Sequence, residues 1–184
     1  KGHDFPQVTL VGIISADTGL NFPDFRAAER TFQLVTQVSG RAGRGAREGR
    51  VIIQTFFPDH FAIRCAASGD FAGFARKELE FRRALGYPPF GRLVKILFHG
   101  ASEEAVATEA KETGDVLREG SPGCRILGPA PSPIAKIQGK FRHQVLLKSA
   151  SAQALHAALD RLEKKRPPRK GSVERVIDVD PQSM

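Results

Sequence analysis

The sequence predicts an α/β chain in two parts: a strand–helix–strand unit followed by an α+β split βαβ, ferredoxin-like sandwich. Three observations carry this. Apolar, β-branched runs at residues 8–14 and 51–55 bracket one amphipathic segment, which is the grammar of a parallel α/β sheet. The tract Tyr87-Pro88-Pro89-Phe90-Gly91 stops any helix, because proline lacks an N–H and clashes with the preceding turn. Beyond it the periodicities run β, α, β, β, α, β, the order of a split βαβ unit.

Residues 8–14 are short and almost wholly apolar, as a buried parallel strand is. Residues 18–23 (T-G-L-N-F-P) have loop chemistry, and Asp24 is placed to N-cap a helix over 25–39. Phe25, Ala28, Phe32 and Val35 recur at helical spacing and form its buried stripe. Arg26, Arg30, Gln33, Gln37, Arg41 and Arg44 line the opposite face if the helical twist persists that far. Gly40, Gly43, Gly45 and Gly49 end the helix before strand 51–55. Residues 60–85 read as two helices broken near Ser68-Gly69, with Phe71, Phe74 and Phe81 fitting a core face better than a stacking platform.

In the second part, residues 93–99 alternate as a half-buried strand does. Ser102 with Glu103 and Glu104 opens a helix reaching about Arg118, its acids at the positive end of the macrodipole. Residues 125–127 form a short strand, and 134–137 with 141–147 a strand or hairpin around Gly139. Ser151 caps a helix whose core stripe is Leu155, Ala158, Leu159 and Leu162, and Pro167-Pro168 stop it. Residues 173–179 close the sheet, and alternation sets Asp178 and Asp180 on one solvent face.

The chain has 184 residues, of which 41% are hydrophobic and 26% charged, and carries a formal charge of +8. Such an excess points to an anionic partner, most simply nucleic acid. No apolar run approaches the roughly 20 residues of a membrane helix, and the start has no secretory pattern, so the expected location is cytoplasmic. The absence of Met at position 1 suggests a piece of something longer. Cys65 and Cys124 stand alone, and the five histidines are dispersed, so neither a disulfide framework nor a metal site is readable.

No complete nucleotide loop is present: the one Gly-Lys pair, Gly139-Lys140, is followed by Phe141, where a P-loop needs Ser or Thr. What stands out is Q-V-S-G-R-A-G-R-G at 37–45. Two arginines three apart, with glycines freeing the backbone, can aim two guanidinium forks at one phosphate. A Gly/Arg loop touching only solvent or a carboxylate is the other reading of the same residues.

The string Q-x-x-G-R-A-G-R is similar to the sixth motif of superfamily 2 helicases, and K-G-H-D-F-P at 1–6 with the strand after it is similar to their fifth. These strings, D-F-R-A-A-E-R at 24–30, Y-P-P-F at 87–90 and D-V-D-P at 178–181 together resemble the primosomal protein N′ family of replication-restart helicases. The likeness runs in register along essentially the whole chain. It implies the C-terminal part of a RecA-like helicase lobe two at 1–58, a helical connector at 59–91, and a C-terminal DNA-binding domain at 92–184.

It also implies site residues. Gln37, Gly40, Arg41 and Arg44 face a triphosphate held by the first lobe, with Arg41 or Arg44 as the arginine finger; Gly2 and Asp4 lie near the nucleotide or the DNA strand. ATP and magnesium are bound mainly by an upstream lobe, and zinc by an upstream cysteine-rich module, none of which this sequence contains. Forked or branched DNA, single-stranded-DNA-binding protein and primosome proteins are the implied partners. An apolar strand cut from its upstream neighbours also leads one to expect association with a second copy or mobility over residues 1–55.

The cations divide unevenly: 12 basic against 9 acidic residues up to Gly91, and 16 against 11 beyond it. Lys136, Lys140, Arg142 and Lys148 occur with no acid among them, and Lys164 and Lys165 crowd a helix end. All six are DNA-binding candidates through phosphate contacts, which carry no base readout, although a helix C-terminus attracts lysines anyway. Two other functions fit the same residues: a nucleic-acid-binding module with no nucleotide role, and part of a different superfamily 2 helicase.

Overall fold

The computed structural model describes residues 8–40, 42, 49–167 and 171–184. They fall into two compact units, divided between Phe81 and Arg82.

In the N-terminal unit, strand β1 (Leu10–Ile13) pairs in parallel with β2 (Arg50–Ile53), Leu10 opposite Arg50 and Ile13 opposite Ile53. Helices α1 (Asp17–Leu20) and α2 (Ala27–Ser39) connect them, so the expected strand–helix–strand order is present. α1 occupies part of the stretch predicted as loop. Its Asp17 carboxylate accepts from the Thr55 hydroxyl at 2.7 Å and from the Phe56 N–H, which ties the turn after β1 to the turn after β2. That network holds the Asp17 carboxyl below the ordinary aspartate range, the Thr55 bond being the largest cause.

Asp24, the predicted cap residue, lies two residues ahead of the observed cap position. α2 begins at Ala27 with Arg26 as its cap residue. The buried Asp24 carboxylate accepts from the Arg26 N–H at 2.9 Å and from the Arg30 guanidinium at 2.9 Å, while its carbonyl accepts from Ala27. Arg26 also forks onto Glu29 with bonds of 3.0 and 2.7 Å.

The buried side of α2 (Phe32, Val35) packs with α3 (Phe61–Ser68) through Ala62, Ile63, Cys65 and Ala66, and with Phe74 of α4 (Phe71–Leu85). Phe74 stacks on Phe32 at 4.1 Å between centroids. The expectation of a shared core face fails for its neighbours: Phe71 is 69% and Phe81 56% exposed. They flank the stripe centred on Phe74 and reach Phe32 and Phe61 only at 6.1 and 5.5 Å between centroids.

The C-terminal unit is a four-stranded antiparallel sheet covered on one face by two helices. Its elements are β3 (Arg92–Gly100), α5 (Glu103–Gly120), β4 (Arg125–Ile137), β5 (Lys140–Ser149), α6 (Ala152–Lys165) and β6 (Val173–Val179), and the strand order is β4-β5-β3-β6. This is the split βαβ arrangement. Ser102 and Ser151 cap α5 and α6 as expected, each accepting from the N–H three residues on at 3.3 Å. Val94, Ile96 and Phe98 of β3 and Val145 and Leu147 of β5 meet Val106, Ala110 and Leu117 of α5 and Leu155, Ala158 and Leu162 of α6 in one core.

β4 departs from the expected pattern by running as a single strand through Pro129, Pro131 and Pro133. It lies at the sheet edge, where a missing N–H costs no ladder bond, and its register with β5 shifts twice along its length. Gln138 and Gly139, at φ 48° and 79°, make the two-residue turn into β5, the type I′ geometry that matches strand twist.

Candidate nucleotide-facing and DNA-facing surfaces

The last turn of α2 leads toward the predicted arginines. Gln37 is exposed there, and Gly40 closes the helix by donating its N–H to the Thr36 carbonyl at 3.1 Å. α2 itself spans Ala27–Ser39. Arg26 and Gln33 of the same polar face both bond Glu29. Arg41, Arg44, Gly2 and Asp4 lie outside the described residues.

Strand alternation sorts the cations of the C-terminal unit. Val145 and Leu147 point into the core beneath the helices, so Lys140, Arg142 and Lys148 of β5 are on the opposite face of the sheet, which they share with the buried Leu93 and Leu146. They are not one cluster. Lys140 and Lys148 are eight positions apart, about 26 Å along a strand.

Lys140 and Arg142 sit at the hairpin end of β5. Lys136 faces Phe141 across the hairpin, its ammonium 4.2 Å from the ring centroid. Lys140 bonds the Glu174 carboxylate of β6 at 2.9 Å, and Arg142 donates to the Ile134 carbonyl at 3.4 Å. Lys140, first by its hydrogen bond and then by its charge, with His99 adding to it, holds the Glu174 carboxyl below the ordinary range.

Lys148, at the other end, donates to the Leu85 carbonyl at 2.6 Å and lies 4.3 Å from the Tyr87 ring centroid. Burial, then the nearby Arg125 charge, pushes its ammonium pKa down. Lys164 and Lys165 are exposed on the last turn of α6, in the helical layer. Their neighbour Arg166 turns back to Glu109 and Glu112 of α5, at 2.7 and 2.5 Å.

Sequence reasoning missed two features of this surface. Glu174, which pairs with Lys140, lies far along the chain from the acid-free stretch. The Tyr87–Phe90 tract is pinned from both sides, with Arg83 over the Phe90 ring at 4.5 Å and Arg82 donating to the Pro88 carbonyl. The two aromatic residues flanking Pro88-Pro89 were the available signal. A cleft of about 510 Å³ between α5 and the start of β6 is lined by Ser102, Glu104, Thr108, Glu109, Ser172 and Arg175, a mixed set that selects neither sign of charge. Among the described residues no three His, Cys, Asp or Glu side chains form a metal-holding group, and no helix is long and apolar enough to cross a membrane.

These observations define a class first: a split βαβ domain whose sheet carries helices on one face and cations at the hairpin end of the other. The chain belongs to the family described as primosomal protein N C-terminal domain, which residues 83–182 match. Among its relatives are three proteins called replication restart protein PriA. That of Bacillus subtilis is 43% identical over 163 residues, 88% of this chain and 20% of the relative. That of Synechocystis is 42% identical over 185 residues, 100% of this chain and 22% of the relative. That of Treponema pallidum is 44% identical over 183 residues, 98% of this chain and 28% of the relative. The chain thus spans between a fifth and somewhat over a quarter of their lengths.

Proposed function

We propose that this chain is the C-terminal part of an ATP-dependent DNA helicase that reloads the replication machinery at stalled forks, in the cytoplasm and at the nucleoid. The family match over residues 83–182, with relatives aligned along up to the whole chain, is the observation that carries this reading. The N-terminal unit then contributes a strand–helix–strand portion of the second RecA-like lobe. Its α2 delivers Gln37 and Gly40 to the start of the Gly/Arg loop.

In this reading Arg41 or Arg44 places a guanidinium against the γ-phosphate and stabilises charge that develops there during transfer. Gly2 and Asp4 border the nucleotide or the DNA strand. The residues present suit only that arginine half. A phosphate-cradling loop, magnesium-binding acids and zinc-binding cysteines belong to upstream parts of the longer protein. The C-terminal unit holds forked DNA by phosphate contacts from Lys140 and Arg142 on one face of the sheet, from Lys136 on the Phe141 side of the same hairpin, and from Lys164 and Lys165 in the helical layer, and Lys148 is the least available of the six. Single-stranded-DNA-binding protein and primosome proteins are its further partners.

The purified chain is expected to hydrolyse no ATP, and ATPase activity lost on Arg41→Ala would overturn that. The same substitution in the full-length protein is expected to abolish most DNA-stimulated ATPase activity. Unchanged activity there would favour a DNA-binding module with no nucleotide role. Fork-DNA titrations at two salt concentrations test the charge-driven contact, which must weaken steeply with salt.

A further inference from the structure

The two edges of the C-terminal sheet are finished differently. β4 carries three prolines, which remove three N–H donors from one edge. β6 has neither proline nor glycine over Val173–Val179 and, among the described residues, pairs with β3 alone. Asp180 donates its N–H to the Leu93 carbonyl at 2.9 Å. With Val94 opposite Val179, the antiparallel alternation then turns the main-chain groups of residues 174, 176 and 178 toward β3. Those of Val173, Arg175, Ile177 and Val179 point outward along the free edge.

A bare edge invites a second copy, but this one is charged against it. Two-fold antiparallel pairing must bring outward-pointing residues opposite one another, so every allowed register is centred on a residue. Centring on Glu174, Arg175 or Asp178 sets that residue against itself. Centring on Val176 sets Glu174 against Asp178, and centring on Ile177 brings Glu174 toward Asp180, which follows the strand at φ 52°. Like charges directly opposite destabilise a strand pair, so all five registers are disfavoured.

The same acids favour one other occupant. Glu174 and Asp178 already meet Lys140 and Lys95, yet their side chains remain 62% and 46% exposed, and Val176 between them is 46% exposed. We propose that the free edge of β6 is a docking site for an extended segment of a partner protein that adds as a fifth strand. That segment carries basic residues opposite Glu174 and Asp178 and an apolar residue opposite Val176. Main-chain bonds to the outward groups supply attachment and the alternate side chains supply selectivity. The inference goes beyond the helicase reading and does not depend on DNA binding.

The probe is a capped seven-residue peptide, TKTVTKT, titrated into the whole chain and followed by amide NMR shifts and hydrogen exchange. Net positive charge on the chain disfavours non-specific binding of this cationic peptide. It should shift the amides of Val173, Arg175, Ile177 and Val179 and slow their exchange at least tenfold near saturation. The acidic peptide TETVTET should leave them unmoved, and the double substitution Glu174→Gln with Asp178→Asn should weaken TKTVTKT binding several-fold. Equal effects from both peptides, shifts confined to other residues, or protection of these amides by self-association of the free chain would overturn the proposal.

Discussion

The ammonium of Lys148 caps the last turn of α4 by donating to the Leu85 carbonyl at 2.6 Å, and it sits 4.3 Å from the Tyr87 ring centroid. A cation there satisfies a helix-end carbonyl that has no partner within the helix. Lys148→Met keeps the stem and removes the charge, so it should lower the stability of the chain by about 1–2 kcal/mol. Urea unfolding checks this, and an unchanged midpoint would refute the capping role.

Glu174 gives a pH signature. Its carboxyl is held below the ordinary 4.5 by Lys140 and then His99. A depressed folded-state value stabilises fully above the unfolded value and is lost as pH falls through the folded one. The melting-temperature gap between the native chain and Glu174→Gln should therefore be constant near neutrality and close as pH drops below about 4.5. A gap that persists at pH 3 would count against the ion pair.

Leu162 is fully buried among the α5, α6 and sheet side chains, whereas Phe71 is mostly exposed. Leu162→Ala should cost about 2–5 kcal/mol by removing packed methyl groups and leaving a cavity. Phe71→Ala should cost under about 1 kcal/mol. Comparable losses in denaturant titrations would mean that the exposed ring is doing more than its contacts with Phe32 indicate.

Asp17→Ala should free the Phe56 N–H and the Thr55 hydroxyl, both of which now bond the Asp17 carboxylate. The expected result is faster hydrogen exchange at the Phe56 amide, with the amides of β3 and β5 unaffected. Exchange that stays slow would show another acceptor.

Much of this was legible beforehand because local rules govern it. Ser102 and Ser151 announced two helices, the alternation in β3 and β6 announced strands, and the glycine after Ser68 marked the break between α3 and α4. β4 was read as two pieces, 125–127 and 134–137, whereas the strand runs on through three prolines that an edge position tolerates. The burial of Phe71 and Phe81 was overestimated because helical spacing gives a face but not the width of what covers it. The candidate cations were legible as residue types and not as contacts. Lys140 meets Glu174, and Lys148 meets Leu85, only because the strand order brings distant segments together.

The position of β3 has a consequence for how the C-terminal unit forms. Its first strand lies between its third and its last, so Val94 finds Val179 only after every intervening element has been synthesised. Until β6 emerges from the ribosome, one side of β3 has no partner and part of the apolar face shared with α5 and α6 stays uncovered. Long-range closure of this kind slows folding and prolongs the period in which nascent chains stick to one another. The last few residues of the sheet therefore act as a latch on the whole unit.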